Sequence, residues 1–351
     1  MKIVLPTHFA LLLAAAATSF WACEHDAPIP AAAPCAIALP LSALPDTCFE
    51  LPNGPTGPIT TPPIFDYTYF AVSASSTEEG AFYYVREDYV PSSAYGNQKI
   101  FKHNICTGET TLIYEIIGGS WTSSLAVSGE GEILFQRRPL QPVFLTSATI
   151  QSPIEVMPAG YYINARWINN DSFNISRATG SGSSFESLIV DQMGNETVVD
   201  PDIFKDVFFD ALDNKLIVSF QSVSRSIHKG YLGLYDLATQ ELTLVEDIAT
   251  NYDLQDVNVF WLNATTIIGY TPDLVLKYNL TTREMTLLRS NDCDNKSYFP
   301  HSISVKGRDD IVLLSRIDYL YLSPTPSQFR RRHRISVLDV NTGEEQILEL
   351  E

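Results

Sequence analysis

Short apolar segments and polar turns alternate along most of this chain. The segments are rich in Val, Ile, Leu, Phe and Tyr, and no long stretch repeats its apolar residues with a helical period. Short runs of β-branched and aromatic residues between turns favour strands over helices. The pattern therefore predicts an all-β protein.

One phrase recurs within this pattern: an apolar strand, a turn rich in Thr, Gly, Asn or Asp, and a second apolar strand. Such a phrase is the signature of a β-hairpin. Its clearest copy is ISVLDVNTGEEQILEL at residues 335–350. Further copies are KIFKHNICTGETTLIYE at 99–115, LGLYDLATQELTLVED at 232–247, LVLKYNLTTREMTLLRS at 274–290, and the weaker SLIVDQMGNETVVD at 187–200 and PVFLTSATIQSPIEVM at 142–157.

The first five copies are regularly spaced, and the sixth follows after a longer interval. Their turn residues return after 43, 44, 45, 43 and 60 positions when the copies are aligned at Asn104, Ser147, Asp191, Asp236, Asn279 and Asp339. A second pair of apolar segments precedes each hairpin, so each unit has four strands, which we call A to D in chain order. A repeat of this length indicates a propeller blade. The sequence thus predicts a six-bladed β-propeller of four-stranded antiparallel blades.

The same pattern makes a prediction about ring closure. It places the first propeller strand at strand A of blade one, near Tyr67, and the last strand, residues 346–350, at strand D of blade six. In that register the two ends exchange no strand, and packing between blades six and one closes the ring. In the alternative register an N-terminal segment such as residues 36–41 adds a strand.

The repeated phrase resembles that of the six-bladed TolB-like propellers on bacterial, particularly Bacteroidota-type, lipoproteins. It covers about residues 64–351 and reads as a hydrophobic strand, Asp or Asn, x-Thr-Gly/Gln-Glu, and a second hydrophobic strand. A packing and turn signature of this kind marks a fold and not an activity. The resemblance implies an interaction scaffold of the cell envelope that binds a protein, peptide or glycan.

The first part of the chain is typical of an exported protein. Residues 1–22 combine Lys2 with an apolar stretch, as a secretory signal peptide does, and the following Cys23 gives the segment the look of a bacterial lipoprotein signal. We expect lipidation at Cys23, a Pro-rich tether over residues 23–63 and the propeller over residues 64–351. The expected location is the bacterial cell envelope, in the outer membrane or periplasm, with the membrane contacted through the lipid anchor only.

The cysteines agree with export. Lipidation of Cys23 leaves an even number in the mature chain, at positions 35, 48, 106 and 293, and three connectivities could pair them. We favour Cys35 with Cys48, because that bond would staple a Pro-rich segment that has no core of its own. No two cysteines have zinc-site spacing, and we expect no metal and no cofactor.

The charge narrows the range of partners. The chain has 23 Lys and Arg against 41 Asp and Glu, a formal net charge of -18. Nucleic-acid binding depends on cations that neutralise phosphates, so we expect no nucleic-acid partner. One basic run, FRRRHR at residues 329–334, is interpreted as a solvated loop, with a docking patch as the alternative.

Ligand-binding residues are expected on one face of the disk. The loops from B to C and from D to the next A share this loop face, while the short A-to-B and C-to-D hairpins share the opposite turn face. The B-to-C loops vary, and variable loops on a rigid scaffold are where binding usually occurs. The candidates are Arg86, Arg138 (or its neighbour Arg137), Arg177 and Arg316 at the ends of B strands, with Trp121, Tyr162, His228, Tyr252, Tyr298 and His301.

These candidates allow two interpretations. Arginine is suited to carboxylates and phosphates, and aromatic residues with polar tips are favoured at binding surfaces, so together they could form an anion-binding mouth. The alternative is that the arginines form ordinary ion pairs between blades, because the chain is rich in acids.

No catalytic residue is assigned. The sequence has no GxSxG elbow and no HExxH motif. We therefore favour a binding or interaction scaffold. The alternative is a propeller hydrolase or lyase that acts on an anionic substrate at the loop face.

Overall fold

The structure is a computed structural model that describes residues 35–44, 67–75, 77–88, 97–116, 124–137, 140–150, 152–179, 184–199, 208–212, 215–221, 230–245, 258–271, 274–290, 296–298, 303–321 and 329–350. These residues form strands β1 to β26 and no helix. Accordingly, none of them lies in a helix that could cross a membrane. The predicted signal peptide, Cys23 and most of the predicted tether lie outside the described residues.

Six antiparallel sheets confirm the predicted six-bladed propeller. A short strand, β1 (Leu41–Ala43), precedes the blades. Blade one contains β2 (Tyr67–Ser75), β3 (Ala81–Asp88), β4 (Asn97–Asn104) and β5 (Thr110–Ile116). Blade two contains β6 (Ser124–Val127), β7 (Ile133–Gln136), β8 (Val143–Thr146) and β9 (Ile154–Met157). Blade three contains β10 (Tyr162–Trp167), β11 (Ser172–Thr179), β12 (Ser184–Asp191) and β13 (Glu196–Val199).

The second half of the ring repeats this order. Blade four contains β14 (Phe208–Leu212), β15 (Lys215–Gln221), β16 (Gly230–Asp236) and β17 (Glu241–Val245). Blade five contains β18 (Asn258–Asn263), β19 (Thr266–Tyr270), β20 (Leu274–Asn279) and β21 (Met285–Ser290). In blade six, β22 (Lys296–Tyr298) and β23 (Ile303–Val305) share the place of strand A, before β24 (Arg308–Tyr321), β25 (Phe329–Asp339) and β26 (Glu345–Leu348).

The recurring phrase forms the C-to-D turn. In blade six, Asp339 Oδ1 accepts hydrogen bonds from the backbone N of Asn341 at 2.8 Å and of Thr342 at 2.9 Å. The backbone then takes a positive φ of 74° at Gly343, a conformation that glycine adopts without steric cost. A Cβ at Gly343 would also collide with the carbonyl oxygen of Leu288 in blade five. The phrase therefore encodes both the turn and the close approach of neighbouring blades.

Hydrophobic clusters fill the seams between blades. Between blades five and six, for example, Phe260 and Val275 pack with Val312, Leu314 and Leu338. The described residues include one such cluster at each of the six seams, the one between blades six and one among them. Because burial of apolar surface is the main favourable term in folding, the stability of the ring depends on these seams.

A segment before the first blade lies across the seam between blades one and six. We call residues 35–44 the strap. Its strand β1 pairs antiparallel with β26, with Leu41 opposite Leu348, and its Ala38 N donates to Ile105 O of blade one at 2.7 Å. The strap thus adds a strand at the outer edge of blade six while it is held to blade one.

The strap corrects the prediction that no strand is exchanged between the ends. The alternative, an added N-terminal strand, is right, although the strand is Leu41–Ala43 and not residues 36–41. Ile37, Leu39 and Leu41 alternate with small or Pro residues and pack against the cluster between blades six and one. The compact unit accordingly begins at Cys35, whereas a tether was expected through residue 63.

A disulfide fixes the strap to blade one. It joins Cys35 to Cys106 with a Cα–Cα distance of 5.4 Å, so the predicted pairing of Cys35 with Cys48 is wrong. Cys106 lies in the C-to-D turn of blade one, where the strap passes, and a Cβ at Gly80 would occupy the place of the Cys106 sulfur. Arg308 of blade six donates from Nη1 to Cys35 O at 3.0 Å.

We predict that loss of this disulfide lowers the stability of the fold more than substitution of a cysteine outside it. The bond spans 71 residues, and a loop of that length corresponds to about 4 kcal/mol in the chain-entropy model. Cys106→Ser should therefore lower the melting temperature by several degrees, as should reduction of the wild type. Cys48→Ser is the matched control and should melt as the wild type does. The opposite ranking in calorimetry would contradict this pairing.

We also predict that the fold weakens at acidic pH through His103. This side chain is 1% exposed, its Nδ1 lies 2.8 Å from Thr110 Oγ1, and burial lowers its pKa from 6.5 to about 4. Between these two pKa values the unfolded chain binds more protons than the folded chain. The free energy of unfolding therefore falls by on the order of 3 kcal/mol as the pH falls from 6.5 to about 4. Urea denaturation at the two pH values should show a smaller loss of unfolding free energy for His103→Gln than for the wild type. Equal losses in the two proteins would contradict this prediction.

Candidate functional site

The B and C strands end at different heights on the loop face. Their ladder ends at Asp88 opposite Asn97 in blade one and at Thr179 opposite Ser184 in blade three. In blade five it ends lower, at Tyr270 opposite Val275. The loop face therefore has an uneven rim, with blade six extending furthest.

Three of the predicted arginines occupy the same register position. Arg86 lies opposite Tyr69, Arg177 opposite Tyr162, and Arg316 opposite Tyr298, each pair joining strand A to strand B. Arg86 and Arg177 lie near the ends of their B strands, whereas Arg316 lies within β24, which continues to Tyr321, so the predicted position at a strand end is wrong for Arg316. The tyrosine partners were not foreseen as a repeated pair, because strand A is the most irregular strand of the repeat.

Blade two needs a correction at this position. Strand β7 pairs Ile133 with Thr146, and continuing that register places Arg137 at the position that the other three arginines hold. Arg137 is exposed and lies over the Phe135 ring, 6.0 Å from its centroid. Arg138, which was favoured as the candidate, is one residue further and lies outside the described residues.

Arg316 lies in a buried ion-pair network. It is 1% exposed, and its Nη1 lies 3.3 Å from Glu345 Oε1, while Glu345 Oε2 lies 3.6 Å from Arg289 Nε of blade five. Ser336 Oγ donates to the same carboxylate at 2.7 Å. Arg316 therefore pairs with a carboxylate of its own blade, and the same carboxylate links it to Arg289 of blade five.

Arg177 is also neutralised by carboxylates, within its own blade. Its Nε donates to Glu186 Oε1 at 2.7 Å and its Nη1 to Glu196 Oε2 at 2.6 Å. Tyr162, its cross-strand neighbour, is 1% exposed and donates from its hydroxyl to Pro158 O at 3.0 Å. Burial raises the pKa of Tyr162. Tyr162 was expected in an exposed loop, but as the first residue of β10 it packs between blades two and three.

Arg86 contacts aromatic rings. Its guanidinium carbon lies 5.2 Å from the centroid of Phe101, and Phe101 stacks on Tyr84 at 5.2 Å. Burial raises the pKa of Tyr84 to about 12, so the phenol is neutral. Arg86 therefore has a cation–π contact with Phe101.

The anion-binding mouth stays a prediction. Several of its proposed members lie outside the described residues: Trp121, Arg138, His228, Tyr252 and His301. Tyr298 is placed by its backbone in β22. Because each of Arg86, Arg177 and Arg316 contacts groups of its own or the neighbouring blade, none of these three requires an anion for its stability.

Leu140 is a feature of the loop face that the sequence did not single out. It lies between strands B and C of blade two, is 70% exposed, and has a φ of 68°. Its N donates to Gly160 O at 3.1 Å, and Gln136 Nε2 donates to Gln141 O and Gly160 O, both at 2.6 Å. The backbone of this exposed apolar residue is thus hydrogen-bonded in a conformation that glycine would adopt more easily.

The basic run of blade six is a strand and not a solvated loop. Residues Phe329 to Arg334 belong to β25 and pair with β24, from Tyr321 opposite Phe329 to Arg316 opposite Arg334. The interpretation of FRRRHR as a loop is therefore wrong. The run RIDYLY before the loop has the aromatic and β-branched residues of a strand, and could have indicated the longer hairpin.

A polar cleft lies on the turn face between blades five and six. Its volume is about 370 Å³. Lys277 Nζ donates to Val340 O at 2.8 Å, and Asn263 Nδ2 donates to Asp309 Oδ2 at 3.1 Å. No group of three His, Cys, Asp or Glu side chains suited to a metal occurs in the part of the chain that the structure describes.

Several solved structures are similar to this chain. TolB from Acinetobacter baumannii matches with a TM-score of 0.44 and 10% identity, over 80% of this chain and 68% of that one. A prolyl endopeptidase matches with a TM-score of 0.47 and 16% identity, over 80% of this chain and 41% of that one. A chain of a nidogen/laminin complex matches with a TM-score of 0.41 and 14% identity, over 62% of this chain and 78% of that one. These likenesses concern the fold, and this chain spans less than half of the endopeptidase.

No protein-family model and no curated protein matches this chain.

We predict that two arginines of the same register contribute differently to stability. Arg316→Ala would remove one cation from the carboxylate of Glu345, whose side chain is fully buried, and loss of a buried partner costs about 3–5 kcal/mol. Arg177→Ala breaks a part-exposed pair, for which we expect about 1 kcal/mol or less. Chemical denaturation of both variants measures the difference. Equal, small losses would mean that Arg316 and Glu345 are not paired in solution.

Proposed function

We propose that this protein is an exported, envelope-anchored scaffold that holds a partner protein on its loop face. The observation that carries the proposal is Leu140, which is 70% exposed at a φ of 68°. A left-handed backbone at a non-glycine residue costs free energy and persists where the surroundings impose it, often at functional sites. An exposed apolar side chain on a hydrogen-bonded backbone is suited to fill a pocket of a partner.

The rigidity of the ring supports this role. The disulfide, the strap and the six seam clusters hold the blades, so the loop face presents its groups without large rearrangement. A preorganised surface loses less entropy on binding than a mobile one. The variation among blades is concentrated on that face, while the turn face repeats one turn.

One observation supports export, and anchoring rests on the proposed lipid attachment at Cys23. The bond between Cys35 and Cys106 suits an oxidising compartment, because structural disulfides are rare in the cytosol. The proposed lipid attachment at Cys23 would leave residues 24–34 as the tether before the strap. In this proposal the membrane contact is the lipid alone, and the propeller meets its partner in the envelope.

We predict that a photo-cross-linking amino acid at position 140 captures a defined partner in cells. Met193 is the matched control, because it is 83% exposed and lies in a C-to-D turn on the opposite face. Position 140 should yield a specific cross-linked species, and position 193 should not.

A second variant separates binding from folding. Leu140→Gly relieves the left-handed backbone, so its melting temperature should equal or slightly exceed that of the wild type. A cross-linker at exposed Arg137 should nevertheless lose the same species in this variant. Equal capture at positions 140 and 193, or undiminished capture in Leu140→Gly, would contradict the proposal.

A further inference from the structure

Strand C ends with the same pair of polar residues in blades one and five. The pair is Lys102 and Asn104 in β4, and Lys277 and Asn279 in β20. In both blades the asparagine lies opposite the first residue of strand B and the lysine opposite the third. The backbone N of each asparagine also donates to the carbonyl oxygen of the glutamate five residues further on. The two pairs are therefore structurally equivalent.

In blade one this pair binds a carboxylate. Lys102 Nζ donates to Glu78 Oε2 at 2.6 Å, and Asn104 Nδ2 donates to Glu78 Oε1 at 2.8 Å. These two hydrogen bonds hold the pKa of Glu78 below its usual value. Hydrogen bonds to an ionised group are stronger than those between neutral groups. A lysine and an asparagine at this register thus form a carboxylate-binding pair, and blade one supplies the carboxylate from its own chain.

The turn that supplies this carboxylate is shorter in blade five. Glu78 lies in an A-to-B turn of five residues, 76–80, whereas the corresponding turn of blade five has two residues, 264–265. The polar cleft, with a volume of about 370 Å³, lies beside this short turn and is lined by Lys277 and Asn279. Pockets for small ligands have volumes of about 300–1,000 Å³. The cleft therefore has room for a small molecule at the blade-five pair.

The charged groups of the polar cleft are not paired with each other. Within the described residues, which include every turn of blades five and six on this face, Lys277 Nζ donates to Val340 O at 2.8 Å and forms no ion pair. Asp309 accepts from Asn263 Nδ2 at 3.1 Å and likewise forms no ion pair there. Asn279 uses its Oδ1 in the turn, and its Nδ2 donates to no described residue. The cleft thus offers an ammonium and an amide to an anion, and a carboxylate to a cation.

We propose that the polar cleft binds a free α-amino acid. Lys277 and Asn279 bind its carboxylate, as the equivalent pair binds Glu78 in blade one, and Asp309 binds its ammonium. A zwitterion complements both signs of charge, whereas a ligand with a carboxylate alone is repelled by Asp309. The cleft lies on the turn face, so this inference goes beyond the proposed function of the loop face and does not depend on it.

The test begins with saturation-transfer NMR of the full chain in a mixture of the standard amino acids. We expect at least one of them to bind. The amino acid that binds is then compared with its amide, which lacks the carboxylate, and with its 2-hydroxy acid, which lacks the ammonium. Each analogue loses hydrogen bonds to a charged group, so each should bind more weakly by about tenfold or more.

Three variants locate the site. Lys277→Met removes the ammonium but keeps an unbranched side chain, and it should weaken the amino acid by about tenfold or more. Lys102→Met is the matched control, because it removes the equivalent ammonium of blade one, and its affinity should stay within about twofold of the wild type. Asp309→Asn keeps an acceptor for Asn263 and should weaken the amino acid but not its 2-hydroxy acid. If Lys277→Met does not fold, the two analogues on the wild type still decide.

Several results would overturn the proposal. Failure of every amino acid to bind would reject it, and equal binding of the amino acid and its amide would exclude a carboxylate site. Equal binding of the 2-hydroxy acid would identify the ligand as a simple carboxylate. Equal losses in Lys102→Met and Lys277→Met would place the binding outside the polar cleft. A specific cross-link from Leu140 without amino-acid binding would reject this inference alone, and the reverse would reject the proposed function alone.

Discussion

The closed ring depends on one seam, where the last blade meets the first. Five seams join blades that are consecutive in sequence, but blades six and one are brought together from opposite ends of the domain. Here the apolar cluster of Phe82, Ile105, Leu313 and Val337 is supplemented by the strap. The strap is covalently bound to one blade and hydrogen-bonded to the other, so it limits separation of the two blades when the cluster alone would allow it.

Closure of the ring explains why the turn face repeats its structure from blade to blade while the loop face varies. On the turn face, the side chain of Asp or Asn and a residue with positive φ define the same turn repeatedly, and Gly343 lets that turn touch the preceding blade. Substitutions there disturb the contact between blades. On the loop face, the ladders of strands B and C end at different heights, so Leu140 and the longer B-to-C hairpin of blade six differ from their counterparts in other blades without opening a seam.

The fold could be predicted from the sequence because each blade is specified by residues that are close together in the chain. The turn phrase around Asp339 and the alternation of apolar residues specify a blade from neighbouring positions alone. The strap is the opposite case: Cys35 finds Cys106, 71 residues away, and nothing in the spacing of the cysteines distinguishes that partner from Cys48. The apolar residues Ile37, Leu39 and Leu41 carried the signal, but the Pro and Ala around them suggested a tether.

Contacts between residues distant in sequence were also missed at the candidate site. The sequence placed Arg177 and Arg316 at the ends of strands, yet their carboxylate partners lie on other strands, so that only the pairing of strands reveals Glu345 and Glu186. Tyr162 was expected at the surface because its neighbours are loop-like. The strain at Leu140 depends on backbone hydrogen bonds to Gly160, which no pattern of residue types indicates.

Hydrogen exchange with the strap deleted tests most directly whether the strap closes the ring. The variant lacks residues 35–44 and carries Cys106→Ser, so that no free thiol remains from the broken disulfide. The account predicts that backbone amides of β26 and β4 lose protection, because they lie at the open seam, while those of β11 and β12 in blade three keep it. Unchanged protection in blades one and six would contradict the account, as would a uniform loss over all six blades.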